Sequence, residues 1–160
     1  MNVYARLVLM VATSVVVMYA ITYLTSIEII DHAMFSETRV FVALMMGSAM
    51  LVIMILFMWR IYERPGLTVS FIVVAIVAFA ALLYLLRSQV TVDDVDYMEA
   101  MIPHHSIAIL TSSRAQISDP RVRDLADGII EAQELEIAEM KALIRDLRGG
   151  PPATPEIDGR

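Results

Sequence analysis

Apolar positions along the chain form three long unbroken runs, and then the pattern changes period. Leu7–Ile27, Val40–Trp59 and Leu67–Leu86 are each about 20 residues without a charged side chain. At a rise of about 1.5 Å per residue, each run as a helix spans a hydrocarbon core of roughly 30 Å. The first run is too long for a cleaved signal peptide, and no small-x-small cleavage site follows it. The pattern predicts a membrane domain over residues 1–87 with three transmembrane helices. Beyond Arg87 polar residues return and apolar ones recur at helical spacing, which predicts a hairpin over 88–148. Thr91 with Asp94 resembles a capping box that opens a helix from about Asp93 to Gln116. Asp119 as cap and Pro120 in the first turn open a second helix over Pro120–Leu147, and "GGPP" stops it. Residues 149–160 read as a disordered tail. There is no strand pattern and no internal repeat, so the fold class is all-α.

Charge orients the chain and limits its partners. Arg6 precedes the first span and Arg60 and Arg64 lie between the second and third, whereas the loop "EIIDHAMFSETR" holds three acids and one arginine. The positive-inside rule places the N-terminus in the cytoplasm and puts the first loop and the hairpin outside. In a bacterial cell that means an inner-membrane protein with a periplasmic domain. Residues 93–148 hold twelve acids against six bases and so carry the whole net charge of −6. An acidic domain lacks the basic patch that nucleic acid requires, and it suits cations. The lipid bilayer is the first expected partner.

The candidate chemistry lies in "DYMEAMIPHH". On a helical wheel Met98, Met101, His104 and His105 fall within about a third of the circumference. Pro103 removes a backbone donor and crowds the Glu99 carbonyl, so a kink beneath the histidines is expected. With no cysteine in the chain, thiolate sites and disulfides are excluded, and twelve methionines make thioether the available soft ligand. Imidazole with thioether favours Cu(I) and also accepts Cu(II). A structural zinc site wants four His or Cys ligands, and neither an EF-hand loop nor a Glu-x-x-His motif is present. On the second helix Gln133 falls inside the apolar stripe and Glu136 on its edge. Either suits a histidine partner, and Met140 is a possible third thioether. The competing reading is a histidine pair on a packed helix with methionines as core filler. Glu99 and Asp94 are expected to face solvent or to cap. Met46, Met50, Met54 and Met58 form a stripe in the second span, expected to pack or face lipid, and Ala43 with Gly47 suits close helix contact.

The two helix patterns resemble a known family. Met98, Met101, His104 and His105, followed by Gln133, Glu136, Ile137 and Met140, match the hallmarks of the bacterial family catalogued as domain of unknown function three hundred and five. The resemblance covers about residues 93–147. It implies a helical, ferritin-like arrangement and copper binding in the periplasm, and the preceding spans resemble a membrane-anchored subgroup. Thr111 stands where the family often has a further Met. The implied function is copper sequestration, handover or tolerance rather than catalysis, since no nucleophile triad, phosphate loop or cofactor fingerprint is present. A metal-free assembly module and an oxidase of Cu(I) or another small substrate are the alternatives. A hairpin of about 55 residues buries too little apolar surface to stand alone. A homodimer or higher oligomer completing a four-helix bundle is therefore expected, with a copper donor or acceptor protein as a further partner and His32 and Met34 of the first loop near the site.

Overall fold

The computed structural model describes residues 2–28 and 30–153. The protein is all-α, with α1 Val3–Ile21, α2 Glu37–Phe57, α3 Pro65–Ser88, α4 Asp94–Arg114 and α5 Pro120–Leu147. It divides into two compact units. One holds the chain up to Thr22 and Glu37–Thr91, and the other holds Tyr23–Ser36 and the chain from Val92 onward.

Three helices among the described residues are long and apolar enough to cross a membrane, Val3–Thr25, Glu37–Phe57 and Pro65–Ser88, and all but the last three residues of the first belong to the first unit. The Asn2 side chain caps α1 by accepting from the Ala5 amide at 2.8 Å, and the last turn of that span tightens to a 3-10 helix over Thr22–Thr25. Leu7, Val11, Ile55 and Tyr62 form the core of this unit. Ala43 and Gly47 are both buried, and a Cβ added at Gly47 would run into the Val15 side chain. The small pair lets α1 and α2 approach closely. Met54 packs against the core, while Met46 and Met58 at either end of the stripe are exposed.

The second unit is the hairpin with the loop joining α1 to α2 packed on it. Asp93 caps α4, its Oδ1 accepting from the Asp96 amide at 2.9 Å. The cap is therefore Asp93 and not Thr91: a carboxylate one residue before the helix reaches the free amide and favours the positive helix end. The helix runs unbroken through the buried Pro103. Asp119 caps α5 by accepting from the Arg121 amide at 2.9 Å. At its other end the Gly150 amide donates to the Arg145 carbonyl (2.9 Å) and the Gly149 amide to the Asp146 carbonyl (2.8 Å). That pair of bonds is a Schellman turn, and Gly149 takes its left-handed position with φ +81°. Residues 149–153 thus close on the helix end, and 154–160 of the expected tail lie outside the described residues. Met98, Ile102, Ile109, Ile137, Met140 and Ile144 make the core, and Ile27 and Met34 of the loop pack against it.

Candidate metal centre

The site forms where α4 and α5 face each other, and its register follows from the helix period. Successive positions on a helix differ by about 100°, so His104 and His105 diverge. His105 turns toward α5 and is 9% exposed, whereas His104 is exposed to solvent. Their rings stand 6.0 Å apart at 67°. Met98, Met101, His105, Glu136 and Met140 line one open groove of about 590 Å³, and His104 is not among the lining residues. Asp94, Glu139 and Asp146 also line the groove, which has no lysine or arginine around it.

His105 is held at both ring nitrogens. Nδ1 lies 2.9 Å from the Met101 carbonyl and Nε2 lies 2.6 Å from Glu136 Oε2. A carbonyl only accepts, so Nδ1 carries the hydrogen. A neutral ring then has a lone pair on Nε2, facing a carboxylate oxygen. At 2.6 Å the contact is a hydrogen bond that a proton on one partner completes, and a metal ion on Nε2 would require the carboxylate to move outward. Gln133 Nε2 donates to the same Glu136 oxygen at 3.3 Å and steadies it. Met98, Met101 and Met140 line the same groove as the pair. Among the described residues no group of three or more His, Asp or Glu side chains is placed to hold a metal ion.

Glu99 departs from expectation. It is 7% exposed, and Arg148 Nη2 reaches its Oε1 at 2.9 Å. The Schellman turn places Arg148, the C-cap of α5, against the α4 face that carries Glu99, so this carboxylate is paired rather than solvated. Asp94 is exposed in the first turn of α4. Thr111 is exposed and bonds back to the Ile107 and Ala108 carbonyls, both at 3.0 Å.

Ser106 is the residue that sequence reasoning missed. It is wholly buried, and two groups of the loop converge on its hydroxyl: the Ile27 amide donates at 2.9 Å and His32 Nδ1 lies at 2.9 Å. Its only sequence signal is position, since it lies between Ile102 and Ile109 on the buried face of α4. His32 thus lines a different pocket from His105, with Glu28, Glu134 and Lys141. Its Nε2 is 3.6 Å from Glu28 Oε2. Burial pushes the His32 imidazole below its usual 6.5, the Lys141 ammonium pushes the same way, and Glu28 and Asp31 oppose them. Met34 is a core contact, and its carbonyl accepts from the Tyr23 hydroxyl at 3.0 Å.

Residues 81–156 match the model of a family described as a domain of unknown function, DUF305. This segment is a DUF305 domain. The DUF305 match starts inside α3 and takes in α4 and α5 whole, so both halves of the groove fall within it. The resemblance carried by the two helix motifs is borne out. An 84-residue stretch is 36% identical to "Uncharacterized protein L153" of Acanthamoeba polyphaga mimivirus, covering 51% of this chain and 55% of the viral protein. The chain thus matches just over half the length of that relative. No solved structure matches.

Proposed function

We propose that this protein is a membrane-anchored copper-binding protein whose DUF305 domain holds Cu(I) in the groove between α4 and α5. The observation that carries the reading is the His105 ring: its Nδ1 is fixed by the Met101 carbonyl, so Nε2 is directed at Glu136 in a groove bordered by three thioethers. An imidazole with a fixed tautomer, a carboxylate and thioether sulfur make a soft to borderline donor set. Met101, Met98, Met140 and His105 are the proposed ligands. Glu136 acts as ligand or as the acceptor that orients His105, and Gln133 supports it. His104, exposed beside the groove, is the proposed solvent-side imidazole through which copper arrives and leaves. Copper is cargo here, and sequestration or handover is the role, without turnover. The loop charges support a cytoplasmic N-terminus and a DUF305 domain on the periplasmic side of a bacterial inner membrane.

The test is a competition titration of the full protein in detergent against a chromophoric Cu(I) chelator. Wild type takes copper from the chelator, and His105→Ala with Met101→Leu weakens binding at least tenfold, with helicity by circular dichroism unchanged. Equal affinity in the two proteins contradicts the reading. A reporter fused after Gly150 that is active only in the cytoplasm contradicts the topology.

A further inference from the structure

We infer that the uncovered face of α5 pairs antiparallel with α5 of a second copy of this chain, and that the second copy closes the groove over His105 and Glu136. The link to copper rests on the reading above; the interface stands on the helix itself.

The apolar stripe of α5 is wider than its partner α4 can cover. Ala126, Ile137, Met140 and Ile144 are buried, but Val122, Leu125, Ile129, Leu143 and Leu147 remain 48%, 64%, 36%, 37% and 58% exposed. Val122, Leu125 and Ile129 recur at three- and four-residue steps, and Leu143 and Leu147 continue the same line about four turns further on, with Glu136 between the two groups. The seam is its own complement when reversed. A twofold axis between Glu134 and Leu135 sets Val122 opposite Leu147, Leu125 opposite Leu143 and Ile129 opposite Met140, each pair equidistant from the axis to within one residue.

Charge selects the antiparallel arrangement. A parallel pair would set Asp146 against Asp146 and Arg121 against Arg121. Reversal brings Arg121, on the same flank of the seam, to Asp146. Asp146 lines a groove with four carboxylates and no lysine or arginine among its lining residues. The N-terminal half of the second α5, with its apolar Val122, Leu125 and Ile129, then covers that groove.

The arrangement gives the site what one chain lacks. The two Glu136 residues lie roughly 5 Å apart along the helix direction, each bonded to its own His105. Two imidazoles and two carboxylates converge there, a grouping absent among the described residues of a single chain. Cations between them relieve the repulsion, so copper tightens the dimer by linkage.

The chain has no cysteine, so single substitutions report cleanly. Differently tagged full-length copies carrying Leu125→Cys and Leu143→Cys are co-expressed, extracted in detergent with a metal chelator, and treated with a short bismaleimide. The mixed pair crosslinks, while like pairs, standing roughly 25 Å or more apart along the helix direction, crosslink at least tenfold more slowly. Leu125→Glu, at a position already exposed, abolishes the dimer by light scattering and leaves helicity unchanged. Like pairs that crosslink as fast as the mixed pair, or a single-chain mass at high concentration, overturn the interface. A dimer that takes up no copper keeps the interface and overturns the metal reading. Copper uptake by a strictly single-chain species does the reverse.

Discussion

His105 Nε2 lies 2.6 Å from Glu136 Oε2, joining α4 to α5 through a polar pair set among methionines. Glu136→Gln keeps the shape of this contact but removes the charge that balances a bound cation. Copper affinity is expected to fall about 10- to 100-fold, the range for partners of metal-bound histidine. Isothermal titration of Cu(II), the harder of the two oxidation states, should register the larger loss, because a carboxylate oxygen suits it better.

The Arg148–Glu99 pair at 2.9 Å fixes the far end of the hairpin. Arg148→Ala leaves Glu99 buried without its partner, and a loss of about 1–3 kcal/mol is expected. Pairing it with Glu99→Met removes the stranded charge and restores most of that loss. Thermal melts of wild type and the two variants, followed by circular dichroism in one detergent, measure both effects.

Burial of His32 makes docking of the 23–36 loop depend on pH. The undocked imidazole takes a proton near its usual 6.5, whereas the docked one, depressed by burial and Lys141, resists it. The undocked state therefore binds more protons in that window, and docking strengthens as pH rises. The stabilising contribution is full above about 6.5 and is lost as pH falls below it toward the depressed value. Hydrogen exchange of the 26–34 amides, corrected for intrinsic rate, should show protection at pH 7.5 that falls at pH 5.5. His32→Gln should flatten that pH dependence.

The Schellman turn gives a backbone prediction. A Cβ at Gly150 would come 2.7 Å from the Arg145 carbonyl oxygen. Gly150→Ala is therefore expected to cost about 1 kcal/mol by opening the turn, and to loosen the Arg148–Glu99 contact with it. Coupling between Gly150→Ala and Arg148→Ala in a double-mutant cycle measures that link.

Elements with local signals were legible in the sequence, and those set by distant contacts were not. The bounds of α5 match the expected Pro120–Leu147 because Asp119, Pro120 and the two glycines act within a turn of the helix ends. The membrane-length helices could be read from apolar length, but hydropathy carried the first through Ile27, and the chain leaves that unit after Thr22. Nothing local marks where the loop goes, because Ser106 becomes its anchor only once α4 is packed. At the site, helix period placed His104 and His105 on one broad arc. The position of α5 decides which of them turns into the groove. Glu99 read as solvated because its partner, Arg148, lies almost fifty residues away, on the far side of a turn.

The central claim is a soft-metal site built on His105 and the groove methionines. X-ray absorption at the copper edge of the Cu(I)-loaded full protein tests it most directly. The account predicts a first shell containing both imidazole nitrogen and thioether sulfur, with the sulfur signal reduced in Met98→Leu/Met101→Leu and the nitrogen signal reduced in His105→Ala. A shell of nitrogen and oxygen alone, unchanged by either substitution, would contradict it.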